Sequence, residues 1–185
     1  MEEIKGISLI NYMAGTGKDT VADIIVNEFG YKKYALADGI YEIARKYYGM
    51  TKKDRELIIH IGESLRKKDP MLWINYTMQR IKKDGCKKVI ISDIRKPLEK
   101  AFFEEIGFHS AMVKCDEQVA LQRIKDRDGV VNEDIVLNSR IENALRNSDV
   151  YVIENNKGIE LLHMNVIDFM NQEMNDFSKV NLIDE

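Results

Sequence analysis

An apolar run from Ile4 to Asn11 leads into Gly15-Thr16-Gly17-Lys18, and a helical pattern starts at Lys18 and runs to Glu28. Ile7, Leu9 and Ile10 need burial, which makes the run a strand, and Val21, Ile24 and Ile25 share one face of the helix. A strand that turns through glycines straight into a helix is the start of a β-α unit. Few folds begin this way, and the unit recurs along the chain. Lys33 to Leu36 predicts a second strand, followed by helices over Gly39 to Tyr48 and Lys53 to Lys67. Pro70, with Asp69 as its cap, predicts the start of another helix running to about Lys83. Lys88 to Ser92 is a continuous β-branched run, as in a strand buried on both faces. Pro97 opens a helix that stops at Gly107. Ala111 to Lys114 reads as a strand, Glu117 to Lys125 as a helix, and Asn132 to Arg146 as a long polar helix. Tyr151 to Ile153 is the last strand, and Ile159 to about Phe177 closes the chain as a helix. That order predicts an α/β fold with a five-stranded parallel sheet and helices on both faces. Ligands of open parallel sheets bind at the carboxyl ends of the strands. Asn11 to Thr20, Ala37-Asp38, Asp93 to Glu99 and Asp116 hold those places.

Composition narrows the function. The 185 residues fit one domain, 44% hydrophobic and 32% charged, which excludes general disorder. Lys and Arg total 28 against 31 Asp and Glu, for a net charge of -3. No broad basic surface is available for a nucleic acid polymer, so phosphate chemistry must rest on a local cluster of cations. Cys86 and Cys115 are too few for a disulfide framework, and neither they nor the three histidines show zinc-ligand spacing. There is no secretory signal and no apolar run near the ~20 residues of a membrane span. The expectation is a cytoplasmic protein with reduced thiols and no membrane partner.

Asn11 to Thr20 compares with the phosphate-loop pattern G-x-x-x-x-G-K-[ST]. Gly17 and Lys18 match; Tyr12 stands in place of the first glycine and Asp19 in place of the hydroxyl residue. Ala14, Gly15, Thr16 and Gly17 are small enough to turn backbone N–H groups around an anion, and the helix opening at Lys18 adds its positive end. Lys18 has the length to reach β and γ phosphates. The alternative is a plain strand-to-helix turn. Asp19 is a candidate magnesium ligand or simply an acid in a first helical turn. Thr20 offers a hydroxyl to a phosphate or caps the turn. Asp93 ends an apolar strand, where an acid orients magnesium-bound water or caps the next helix. Arg95, two residues on, has the fork suited to a phosphate, or forms a salt bridge with Glu99. Arg66 is a second phosphate candidate, or part of a solvated basic face with Lys67 and Lys68. Arg123 and Arg127 share a helical face before Gly129, free to bind an anion or to pair with acidic neighbours.

At Gly17-Lys18-Asp19-Thr20 the sequence resembles phage-type deoxynucleoside monophosphate kinases, and some phosphomevalonate kinases. Tyr34 to Asp38, Gly62 to Trp73 and Val89 to Arg95 with Pro97 and Glu99 resemble further segments of the phage-type enzymes. Ser148 to Ile153 with Asn155 and Gly158 resembles the last strand and turn of dephospho-CoA kinases. The resemblance implies a three-layer phosphate-loop NTPase fold over residues 1–185, with an acceptor-binding helical region at about 38–75 and a short lid at about 123–140. It implies ATP and Mg2+, with Arg123, Arg127 and Arg140 on the lid and Asn155 lining the adenine pocket. Asp38, Arg66, Trp73 and Arg95 fall to the acceptor; Tyr41, like Trp73, stacks on a base or packs in the core. Asp38 activates an acceptor hydroxyl or positions a sugar or the metal. The expected function is transfer of a γ-phosphoryl group from ATP to a ribo- or deoxyribonucleoside monophosphate, in a protein that can form a homodimer. The rivals are another small acceptor, such as dephospho-CoA or phosphomevalonate, and a non-catalytic nucleotide-binding regulator.

Overall fold

The computed structural model describes residues 4–129 and 144–180. Strand β1 (Lys5–Ile10) leads to helix α1 (Lys18–Phe29), then β2 (Lys32–Tyr34), α2 (Asp38–Tyr48), α3 (Arg55–Lys68) and α4 (Leu72–Asp84). There follow β3 (Lys88–Ile94), α5 (Pro97–Glu105), β4 (Phe108–Lys114), α6 (Glu117–Asp128), β5 (Tyr151–Glu154) and α7 (Ile159–Val180). All five strands are parallel, in the order β2-β3-β1-β4-β5.

The side-chain alternation of the inner strands divides the core into two layers. Ile7, Leu9, Ile90, Ala111 and Val113 point to one face and pack with α1 and α7 through Val21, Ile25, Val166 and Phe169. Ile10, Val89, Ile91 and Met112 point to the other face, under α2 to α6. The two helical layers with the sheet between them are the three-layer α/β architecture the sequence predicts.

Several boundaries differ from the sequence reading: β2 ends at Tyr34, not Leu36, and α6 runs on from Lys125 to Asp128. Strands β3 and β4 extend by two and three residues beyond Lys88–Ser92 and Ala111–Lys114. Pairing with β1, from Gly6↔Phe108 to Ile10↔Ile94, enforces the extra length. The polar residues that obscured it are absorbed by the sheet, Ser8 Oγ meeting Ser110 Oγ at 2.9 Å. Helix α4 begins at Leu72, not at Pro70. Asp69 instead closes α3, its N–H donating to Leu65 O, while its carboxylate accepts the Met71 N–H at 2.9 Å. That local turn holds Pro70 outside both helices. The helix expected over Asn132 to Arg146 lies, with Arg140, largely outside the described residues; Ala144 to Asn147 form turns. Among the described residues no helix is long and apolar enough to cross a membrane.

Tyr31, buried between α1 and α7, carries a measurable consequence. Burial, helped by Glu173, pushes its phenol up to about 12. The folded state therefore holds that proton more tightly than the unfolded chain. The contribution is full below the ordinary tyrosine value of about 10 and is lost as pH rises through about 12. Ultraviolet titration of the wild type at about pH 11 should find one more phenolate in urea-unfolded than in folded protein than the same comparison finds in Tyr31→Phe. An equal count in both proteins would contradict the burial argument.

Candidate active site

The loop between β1 and α1 crosses the carboxyl edge of the sheet. Gly15 and Gly17 take φ of 82° and 89°, in the left-handed region that side chains rarely adopt. Space forbids side chains there as well. A Cβ on Gly15 would stand 2.5 Å from Ala120 O, and one on Gly17 would stand 2.2 Å from Asn155 Nδ2. Helix α1 starts at Lys18 without a side-chain cap, so its positive end faces the loop. Thr16 is buried, and its carbonyl accepts from Asn155 Nδ2 at 2.8 Å. Asn155 Oδ1 accepts from Arg123 Nη2 at 3.2 Å. The other arm of that guanidinium, Nη1, is buried with no hydrogen-bond partner among the described residues and lies 4.0 Å from the Cβ position of Gly17. Lys18 is only 12% exposed, with Nζ 3.0 Å from Asp19 Oδ1.

The next strand end supplies Asp93, buried and doubly bonded. Oδ1 accepts the Leu36 N–H at 2.7 Å and Oδ2 accepts the Ala37 N–H at 3.0 Å. Burial pushes its carboxyl up; the two backbone donors, Arg95 and Lys18 oppose that shift. Asp93 therefore clamps the turn between β2 and α2 instead of capping α5. Arg95 donates from Nε and Nη2 to Asn11 Oδ1 at 3.3 and 3.0 Å, with the amide oxygen turned toward it. Buried Glu99 accepts the Arg95 and Lys96 N–H groups at 2.9 and 3.0 Å and Arg66 Nη2 at 3.2 Å. Arg66 also bonds Glu63 at 2.7 Å, so it is held across α3 and α5 and is no solvated basic face. Glu99 thus sets one arginine by its side chain and the other by its backbone.

Other expected site residues sit elsewhere. Trp73 is 3% exposed and donates from Nε1 to Gly62 O at 3.2 Å. Its ring lies against Gly39 in the packing of α2, α3 and α4 and offers no face for stacking on a base. Asp38 Oδ2 pairs with Arg80 Nη1 at 2.6 Å and accepts the Ala35 N–H at 3.3 Å. It borders a groove of about 740 Å3 between α2 and α4, lined also by Tyr41, Arg45 and Tyr76. Arg45 lies over the Tyr41 ring at 5.4 Å, which leaves Tyr41 at the surface of this groove. Asp19 is 75% exposed and lies 3.5 Å from Lys33 Nζ as well as near Lys18. Burial alone would raise its carboxyl, but the two lysines outweigh it and hold it below the ordinary value. Thr20 is exposed. Arg127 pairs with its neighbour Asp128 through Nε at 2.7 Å and Nη2 at 2.6 Å. The Asp128 carboxyl is held low by Arg127 first, and also by the charges of Arg55 and Lys53.

The structure therefore gathers Gly15, Thr16, Gly17, Lys18, Arg123 and Asn155 around one cradle, with Ala14 in the same loop. Arg95 and Arg66 meet at Glu99, beside Asp93 at the end of β3. Asn11, Glu99 and Arg80 escaped the sequence reading as site residues. Asn11 was detectable as the first residue after an apolar strand, and Glu99 as an acid in the first turn of α5. Nothing local marked Arg80. Among the described residues no group of three or more His, Cys, Asp or Glu gathers to hold a metal ion. Asp93 has both oxygens bonded to backbone and Asp19 faces two lysines, so the donor set suits a metal that arrives with a phosphate chain, not a resident ion.

Residues 9–157 match the family described as an AAA domain. No curated protein matches the chain. Among solved structures, TT1252 from Thermus thermophilus superposes with a TM-score of 0.67 at 16% identity, covering 93% of this chain and 98% of that one. A gluconokinase from Sinorhizobium meliloti gives 0.59 at 14% identity, with 95% and 97% covered. A shikimate kinase from Acinetobacter baumannii, in complex with shikimate, gives 0.53 at 17% identity, with 95% and 96% covered. The three-layer fold is thus shared over nearly the whole length of each.

Proposed function

We propose, for a chain that belongs to the AAA domain family, that the protein is a kinase that moves the γ-phosphoryl group of ATP to a deoxynucleoside monophosphate. The observation that carries the reading is the buried, unpaired Nη1 of Arg123 beside Gly17. An orphaned buried donor of this kind costs about 1–3 kcal/mol, and an anion in the loop satisfies it. Lys18 and the open end of α1 point positive charge at the same place. The cradle fits the phosphates of a nucleotide.

Moving a phosphoryl group is mainly a matter of positioning and charge stabilisation. In this reading Lys18 and Arg123 hold the donor phosphates. Arg66 and Arg95, set on either side of Glu99, take the acceptor phosphate. Arg127 leaves Asp128 to cover the transferring group and exclude water. Magnesium bound with the nucleotide would neutralise phosphate charge, with Asp93 and Asp19 as the acids beside the loop. Asp38, already paired with Arg80, is poorly placed to accept a proton, which favours an acceptor that is an oxyanion from the start.

A hydroxyl acceptor is the second reading. The groove beside Asp38 favours it, as do the gluconokinase and the shikimate kinase that share the fold. An ADP-release assay over all nucleoside monophosphates decides, with dephospho-CoA, phosphomevalonate, gluconate and shikimate included. Turnover is expected with a deoxynucleoside monophosphate, and Asp38→Asn is expected to reduce it only mildly. Turnover with an alcohol, abolished in Asp38→Asn, would replace the first reading with the second. ATP binding without ADP release on any acceptor would make the protein a regulator.

A further inference from the structure

Asn155 follows β5, and its N–H donates to Lys114 O at 2.7 Å, which ties it to the edge of the sheet. It is 5% exposed. The neighbouring Asn156 braces the same turn by accepting the Asp116 N–H at 2.7 Å. The Asn155 amide is used at both ends: Nδ2 donates to the Thr16 carbonyl at 2.8 Å, and Oδ1 accepts from Arg123 Nη2 at 3.2 Å. One donor and one acceptor of the amide are spent on protein and the residue is buried, so its orientation is set by Thr16 and Arg123 before any nucleobase could reach it.

Each bond has a consequence for an anion. Drawing the Thr16 carbonyl toward Asn155 removes an oxygen lone pair from the cradle and leaves the N–H groups of the turn to face it. Holding one arm of a rigid planar guanidinium fixes the direction of the other. That other arm is the unpaired Nη1 beside Gly17. The close approach of Nδ2 is also what forbids a side chain at Gly17.

We propose that Asn155 is a positioning residue for phosphate binding, presetting the loop backbone and aiming Arg123, without contact to the base. This rests on the nucleotide reading above and replaces the adenine-pocket role expected from the sequence. The test is calorimetric titration of the full chain with ATP and, separately, with inorganic tripolyphosphate. Asn155→Ala should weaken both ligands by a similar factor, about tenfold. In an Arg123→Ala background the same substitution should weaken them by a clearly smaller factor, because the arm it aims is gone. If the alanine variant fails to fold, Asn155→Asp keeps the size and the Arg123 contact but loses the donor to Thr16; it too should weaken both ligands. Loss of ATP affinity with unchanged tripolyphosphate affinity would place Asn155 on the base and overturn the proposal. Equal losses with and without Arg123 would overturn the aiming role. A wild type that binds neither ligand would bring down the nucleotide reading itself.

Discussion

Lys18→Ala should lower turnover by on the order of a thousandfold while the protein keeps its fold. Lys18 is the first residue of α1, and its ammonium pairs at 3.0 Å with Asp19, which is itself largely exposed. Removing the Lys18 side chain takes little from stability, since an ion pair to a carboxylate open to water is worth about 0–1 kcal/mol. What it removes is a cation at the entrance to the cradle, in a place where Arg123 Nη1 is the other donor aimed inward. Charge that develops on the transferring group would lose its nearest mobile counter-charge. Steady-state ADP release with a matched melting curve checks both halves. Near wild-type turnover, or a collapse of the melting temperature, would each contradict the assignment.

The second large effect concerns Asp93. Asp93→Ala leaves the N–H groups of Leu36 and Ala37 without their acceptors, 2.7 and 3.0 Å away in the wild type. Each orphaned buried donor costs about 1–3 kcal/mol. A total of about 3 kcal/mol would lower the melting temperature by about 6–12 °C in a protein of this size. Activity should fall with it, because the turn that Asp93 clamps carries Asp38 and starts α2. Asp93→Asn separates the clamp from a purely chemical role. Its amide nitrogen meets an N–H where an oxygen stood, so stability and turnover should drop together. Turnover lost at an unchanged melting temperature would assign Asp93 to the chemistry and refute the clamp.

The two residues differ in how far local sequence reached. The place of Lys18 was readable: a glycine turn between strand and helix puts the next residue at the positive end of a helix. Asp93 was readable as a strand-end acid, but its partners are Leu36 and Ala37, more than fifty residues away in the chain. The same holds for Arg66, whose neighbours Lys67 and Lys68 suggested a solvated face until Glu99 appeared beside it. For Trp73 the sequence left stacking on a base and packing in the core both open, and the packing of three helices, invisible to a motif, makes it core.

What the sequence determined by itself is the order of elements, the parallel sheet and the position of the glycine turn between β1 and α1. These depend on periodicity, β-branched runs and glycine at places of positive φ, all properties of short stretches. What only the tertiary structure decided is the pairing of charges and amides at the strand ends. Asp38 with Arg80, Glu99 with Arg66, and Asn155 with Thr16 and Arg123 join residues on different elements. A buried polar group must find a partner, but burial and the partner's identity are both set by the packing of the sheet against its helices. The glycine turn was thus written into one segment of chain, while the side chains that brace it, Arg123 and Asn155, come from two others.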